Sequence, residues 1–370
     1  MRLFAYHENP ESVAALLDAL SRRVEVHAFR VVSPMSYLRL RQGRGGGFYW
    51  ADVADAEHQQ LAVVPGLRRF KALSKTMLNR SYRAAARSYG NPDFVLIDSP
   101  YLAPWATALS EPLAYLATDA YRYYDWPPAT TEAFERRILS RAQVNFPVSE
   151  LLADEFEAIG ARGVMRLPNG VAPGFADQAR GRMPVPLDLA VIPGPRVAVV
   201  GMINATYDWD LIGALAEARP DVSYVFIGPI REPDQRSRAR IAQTFDRANV
   251  HWLGPRPHAE LPAYLGGSDV LLNPLAINDH NDRRFPLRLC EYLATDRPIL
   301  TTAIHEAKWF APHLSLFADH AEALTALDAS IAGEVVIDAA GRRRWLEENS
   351  WDARATSVLD ALQMTTTERT

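Results

Sequence analysis

The sequence predicts two doubly wound α/β domains in tandem, and three observations carry that reading. Short, β-branched apolar runs alternate with helix-period segments from end to end, the pattern of parallel sheets covered by helices on both faces. A Pro- and Gly-rich stretch (Pro173, Gly174, Pro184, Pro186, Pro193, Gly194, Pro195) interrupts the alternation near the middle. The chain has 370 residues, more than one domain ordinarily uses and enough for two with full cores.

Strands of the first half are read at Leu3–Tyr6, Val24–Phe29, Leu61–Val64, Phe94–Ile97, Leu113–Ala117, Val144–Val148 and Val164–Leu167. Amphipathic helices fall between them at Ser12–Ser21, Met77–Tyr89, Thr130–Ser140 and Glu150–Ile159. Residues 1–172 form this first domain, and residues 173–195 are read as a linker in which neither helix nor sheet continues. The second domain, residues 196–349, restarts with strands Val197–Val200, Tyr224–Ile227, His251–Leu253, Val270–Leu272, Pro298–Thr301 and Leu314–Phe317. Its helices are Asp208–Ala218, Arg238–Arg247, Ala259–Leu265 and Leu287–Thr295, and a last helix, 350–366, is expected to pack back on the first domain. No internal repeat of fixed period is visible.

Composition narrows the class. A hydrophobic share of 48% and a charged share of 23% exclude disordered and fibrous chains. The single cysteine, Cys290, allows no internal disulfide and no Cys-based zinc site, which suits a reducing compartment. The start lacks a secretory pattern and no apolar run is long enough to span a bilayer, so a cytoplasmic protein is expected. Net charge is only −4, but between residues 30 and 90 eleven basic residues face three acids, a local +8. With Phe48, Tyr49, Trp50 and Phe70 interleaved, that stretch suits an anionic surface such as the inner face of the plasma membrane; read blandly, it is a solvated Arg-rich face. Neither a stacking platform nor a recognition helix for nucleic acid is found.

Chemistry concentrates in loops that follow strands. Arg283-Arg284-Phe285-Pro286-Leu287-Arg288-Leu289-Cys290-Glu291 places Pro286 at the first position of a helix whose N-terminus can meet an anion. Arg288 and Glu291, three apart, share a helix face. A guanidinium beside a helix start suits a diphosphate, and a carboxylate one turn on suits a ribose diol; a surface salt bridge is the plainer alternative. After the first strand of this half, Gly201-Met202-Ile203-Asn204 lets the backbone approach a ligand, with Asp208 as a helix cap. Asp208 and Asp210 in a first turn answer the helix dipole rather than a metal. Gly254-Pro255-Arg256-Pro257-His258 offers Arg256 to a nucleotide base. In the first half, Asp119 stands where a strand runs out, placed to take a proton from a hydroxyl, and His7 is the second catalytic candidate. Glu8, Asp98, Ser99 and Tyr121 are read as lining the acceptor side.

Taken together, these segments resemble the GT-B glycosyltransferases of bacterial polysaccharide biosynthesis, of the teichuronic-acid type and more distantly the xanthan glucuronosyltransferase. Leu167-Pro168-Asn169-Gly170-Val171 is similar to that superfamily's interdomain junction. Val200-Gly201-Met202-Ile203, Ile227-Gly228-Pro229, Leu253-Gly254-Pro255-Arg256-Pro257 and Pro286-Leu287-Arg288-Leu289-Cys290-Glu291-Tyr292 follow in the order its donor domain uses. The resemblance implies two Rossmann-like domains facing across a cleft. It implies a nucleotide sugar, of which UDP-sugar is the expected form, held by the second domain without a metal or other cofactor. It also implies a glycan or lipid-linked acceptor at the first. Thr118-Asp119-Ala120 is similar to the segment carrying the xanthan enzyme's catalytic Asp, which implies Asp119 as general base. Arg288 would then hold the diphosphate, helped by Arg284, and Glu291 the ribose. Two departures stand out: Arg283, not Glu, lies eight residues before Glu291, and no Lys-Gly pair follows the first donor strand. The competing readings are a sugar-nucleotide epimerase and a non-catalytic nucleotide-sugar binding protein.

Overall fold

In the computed structural model the described residues are 1–8, 10–41, 59–123, 128–171, 173–180 and 183–367. They divide into two compact units, Met1–Gly170 with Trp351–Thr370, and Val171–Ser350.

The first unit is built on a parallel sheet of six strands: β1 Arg2–His7, β2 Glu25–Val32, β3 Gln59–Val63, β4 Phe94–Ile97, β5 Leu113–Ala117 and β6 Val144–Pro147, in the order β3-β2-β1-β4-β5-β6. β1 shows why its run is apolar throughout. Phe4 and Tyr6 enter one core with Phe29, Leu78 and Trp105, whereas Leu3 and Ala5 enter the opposite one with Leu16, Leu20 and Phe146. A parallel strand with helices on both faces buries both sets. The helix Trp351–Thr367 supplies Trp351, Ala355, Val358 and Leu362 to the second of these cores. Gly170 lies where it begins: a Cβ there would sit 2.7 Å from the Trp351 backbone nitrogen and 2.8 Å from its ring.

The second unit repeats the plan with β7 Arg196–Val200, β8 Ser223–Ile227, β9 Val250–Gly254, β10 Val270–Asn273, β11 Ile299–Thr302 and β12 Ser315–Phe317, in the order β12-β11-β10-β7-β8-β9. Both orders reverse direction beside their first strand, between β1 and β4 and between β7 and β10. Doubly wound sheets bind ligands at the carboxyl ends of the strands flanking such a reversal. That rule points to the loops after His7 and Ile97, and after Val200 and Asn273.

Three expectations are corrected. The predicted seventh strand at Val164–Leu167 makes a single bridge, Val164 to Asn145. The Met165 and Leu167 N–H groups reach the Asn145 and Pro147 carbonyls and the Asn145 N–H reaches Gly163, but Pro147 has no N–H to return the next bond, so the ladder stops there. The 173–195 stretch carries two helices, Pro173–Arg180 and Leu187–Ala190, and belongs to the second unit. A proline at a helix start gives up no hydrogen bond, so Pro173 begins a helix there. Finally, Pro286 is the N-cap of a shorter helix, Leu287–Leu293, because its ψ of 77° is not helical. The aromatic part of the basic stretch, Phe48, Tyr49 and Trp50, lies outside the described residues, as does Arg44.

Candidate functional site

In the second unit the chain closes around Arg288. Gly201 follows β7 at φ 128°, and a Cβ on it would lie 2.7 Å from the Arg288 Nη2. Gly228 follows β8 at φ 151°, and its Cβ would fall 1.9 Å from the Gly201 carbonyl oxygen. Both positions therefore require glycine: the β8 end packs on the Gly201 backbone, and Gly201 in turn packs on the Arg288 guanidinium. Arg288 Nη1 donates to the Tyr207 hydroxyl at 2.8 Å, with its Cζ 4.9 Å from the ring centroid. Burial pushes the Tyr207 hydroxyl up, opposed by Arg288 and Arg284. Tyr292 locks the Arg288 helix to the sheet: its hydroxyl accepts from the Val200 N–H at 2.9 Å and donates to the Leu272 carbonyl at 3.3 Å. The N-cap Pro286 contributes no side-chain hydrogen bond, and the first turn is closed by backbone bonds instead: the Leu287 N–H donates to the Phe285 carbonyl and the Leu289 N–H to the Pro286 carbonyl, both at 2.9 Å.

Glu291 is 4% exposed and lies on the Arg288 face, while Leu289 and Leu293 turn into the core. Its Oε1 pairs with His258 Nε2 at 2.8 Å. Its Oε2 has no hydrogen-bond partner among the described residues. Burial pushes this carboxyl up, and His258 and Arg288 pull it back. His258 stacks on Phe175, ring centroids 4.8 Å apart.

Other donor-side candidates are engaged elsewhere. Arg256 Nε donates to the Tyr264 hydroxyl at 2.7 Å and its Nη2 pairs with Asp188 at 2.5 Å. Asn204 Oδ1 accepts from the Thr206 N–H and hydroxyl at 3.0 and 2.6 Å, forming a turn. Ile203 is fully buried, Phe285 packs edge-on against Trp309 and near Phe310, and Met202 is exposed. Arg284 and Leu287 are half-buried. Asp208 caps the helix Trp209–Ala218 through a 2.9 Å bond from the Leu211 N–H, and Asp210 pairs with Arg240.

In the first unit the β1 and β4 ends bring four candidates together. The Glu8 N–H donates to Asp98 Oδ1 at 2.9 Å, and the Ser99 hydroxyl donates to the Glu8 carboxylate. His7 is 1% exposed, and neither ring nitrogen has a hydrogen-bond partner among the described residues. Burial, and next the charge of Arg30, holds its pKa down at about 4. Glu8 is pushed up by burial, with Ser99 and Arg68 opposing. Arg68 lies over the Tyr101 ring, 4.1 Å from its centroid.

Asp119 follows β5, one strand further along. Its Oδ1 accepts from the Ala120 N–H at 2.8 Å, and Tyr121 bonds Thr118 through its hydroxyl at 2.9 Å. The turn that follows is anchored from below. Arg122 Nε is 2.7 Å from Glu135 Oε2, another Arg122 nitrogen is 2.5 Å from Glu155, and the Tyr123 hydroxyl donates to Glu155 at 2.8 Å. Glu135, pushed up by burial and restrained by Arg122, also accepts from Tyr115 at 3.0 Å.

Sequence reasoning quoted His258 in its loop but assigned it no role, because its partner Glu291 is 33 residues away. The roles of Tyr207, Gly228 and the Arg122–Glu135 pair were missed for the same reason.

Residues 194–327 match the model of the family described as Glycosyl transferases group 1. TuaH of Bacillus subtilis strain 168, assigned as a teichuronic acid biosynthesis glycosyltransferase, is 28% identical over 174 residues, 45% of this chain and 42% of that protein. The match thus spans less than half the length of that curated relative. Among solved structures, Anabaena HepE in complex with UDP and glucose superposes with a TM-score of 0.72 at 13% identity, over 98% of this chain and 100% of that one. Sucrose-phosphate synthase from Thermosynechococcus elongatus gives 0.70 at 14% identity over 100% of both chains.

Proposed function

From the premise that this chain has the GT-B fold and carries a group 1 glycosyltransferase domain at residues 194–327, we propose that it transfers a sugar from a nucleoside-diphosphate sugar to an acceptor hydroxyl. The observation that carries the reading is the Gly201–Arg288–Glu291 constellation at the β7 end, where the second unit's strand order reverses. Arg288 meets the diphosphate, and the Oε2 of Glu291 accepts from the ribose. UDP-sugar is the donor, in keeping with the UDP held by HepE. A glycan or lipid-linked saccharide is the acceptor.

Asp119 removes the acceptor proton as the acceptor oxygen bonds to the anomeric carbon, and the bond from that carbon to the diphosphate oxygen breaks. The leaving charge falls on the nucleoside diphosphate, where the guanidinium of Arg288 stabilises it. Asp208 and Asp210 are already used as a cap and an ion-pair partner, which favours charge neutralisation by Arg288 over a metal held by these two acids. His7, Glu8, Asp98 and Ser99 line the acceptor side at the β1/β4 reversal. The family match does not favour the epimerase or the binding-protein reading. The test is nucleotide release: purified full-length protein incubated with UDP-glucose, UDP-galactose, UDP-glucuronate and GDP-mannose should release one nucleotide selectively, with EDTA making no difference. No release from any donor, with or without saccharide acceptors, refutes the transferase reading.

Among the described residues no helix is long and apolar enough to cross a membrane. The helix Lys71–Tyr89 nevertheless begins with exposed Leu73 and Met77 beside Phe70, interleaved with Arg69, Lys71 and Lys75. The proposal includes peripheral contact with anionic lipid through this patch. Each basic residue near such a surface contributes about 1 kcal/mol. Reversing Arg69, Lys71 and Lys75 to Glu should weaken flotation with anionic liposomes by at least ~100-fold. Equal flotation of wild type and variant, or none by either, removes the patch from membrane binding.

A further inference from the structure

We infer that His258 is the positioning residue that fixes Glu291 for the ribose of a nucleoside diphosphate, and so sets the preference of the site for ribonucleotides over deoxyribonucleotides. The inference rests on the donor-site reading above and adds a residue to it.

Glu291 is buried, and its two carboxylate oxygens stand in different environments. Oε1 is held at 2.8 Å by His258 Nε2, whereas Oε2 is buried without a hydrogen-bond partner among the described residues. A buried polar atom left unpaired is costly, and a partner that reaches it, a ligand hydroxyl or a water, recovers that cost. The vicinal hydroxyls of a ribose are donors of the right kind, and Arg288, three residues earlier on the same helix, places the diphosphate beside them.

His258 does two things here. Its ring N–H fixes the carboxylate plane so that Oε2 is the oxygen presented. It also favours the ionised form, against the burial that pushes the Glu291 proton affinity up. Without this donor Glu291 is freer to rotate and to hold a proton, and it becomes a weaker acceptor for hydroxyls. The imidazole is held in turn by Phe175 of the helix Pro173–Arg180, with an interplanar angle of 27°. The segment read from sequence as a connector therefore supports the donor site.

Affinities of the full-length protein for UDP and for 2′,3′-dideoxy-UDP, which lacks the ribose hydroxyls, test this. Hydrogen bonds to a charged group are worth enough that wild type should prefer UDP by about 10-fold or more. His258→Phe, which keeps a ring to stack on Phe175, should bring that preference down to about 3-fold or less, mainly by weakening UDP. His258→Gln, whose amide can donate in place of the ring N–H, should recover most of it. A general loss of packing would weaken both nucleotides alike and leave the ratio unchanged.

If Glu291→Gln lowers the ratio while folded His258→Phe keeps it, His258 is idle and the ribose reading of Glu291 stands. If wild type and Glu291→Gln show the same ratio, the ribose reading itself has failed, and the role of His258 with it. Should His258→Phe not fold, His258→Asn, whose amide is too short to span the 2.8 Å bond, carries the same expectation and the same refutation.

Discussion

Asp119→Asn should lower kcat by about 10²–10⁴-fold, the usual worth of a general base, while leaving the affinity for the donor nucleotide within about 2-fold of wild type. Asn has the shape of Asp and its amide oxygen can still accept the Ala120 N–H that now bonds Oδ1, so the loop should keep its form. The loop also has its own anchors: Arg122 is tied to Glu135 and Glu155, and Tyr123 to Glu155. What the substitution removes is the capacity to take a proton. Steady-state turnover at saturating donor, alongside the UDP dissociation constant, separates this from a folding defect. Wild-type turnover in Asp119→Asn would mean that another group, or the substrate itself, accepts the proton.

Arg288→Ala should abolish most of the thermal stabilisation that UDP confers, because it removes charge-assisted bonds to the diphosphate worth about 1.5–3 kcal/mol, or ~10–150-fold in affinity. The same side chain also donates to Tyr207, so part of any effect could come from a disturbed core. Tyr207→Phe provides the control. It removes the hydroxyl and keeps the buried ring, and it should retain the UDP shift while the melting temperature without ligand changes little. EDTA should leave both shifts unchanged if the guanidinium, and not a metal, neutralises the diphosphate. An undiminished UDP shift in Arg288→Ala would move the diphosphate away from this helix.

Much of the architecture could be read locally. The alternation of short apolar runs and helical segments marks all twelve strands, most clearly the inner ones, because a strand buried on both faces must be apolar at every position, as Leu3–Tyr6 and Val197–Val200 are; outer strands such as β9 are partly exposed. The exception is instructive: Val164–Leu167 has strand composition and its Met165 and Leu167 N–H groups bond β6, but Pro147 of β6 has no N–H to donate back. Pro173 misled in the other direction, since proline halts a helix from within but begins one readily.

The site divides along the same line. Glycines at strand ends, a paired Arg288 and Glu291, and an acid after β5 are visible in sequence because each depends on local geometry: backbone freedom, helix periodicity, strand termination. Whether a polar group is free or already bound depends on residues far away in the chain. Asp188, 68 positions before Arg256, engages its guanidinium; Phe175 and His258 fix Glu291; and Glu135 holds the turn beyond Asp119. The sequence by itself determined the two doubly wound sheets and which strand ends carry polar chemistry, because burial and periodicity are written residue by residue. Only the tertiary structure decided which of those polar groups still has an unpaired atom, because hydrogen bonds are shared among groups that meet only after folding.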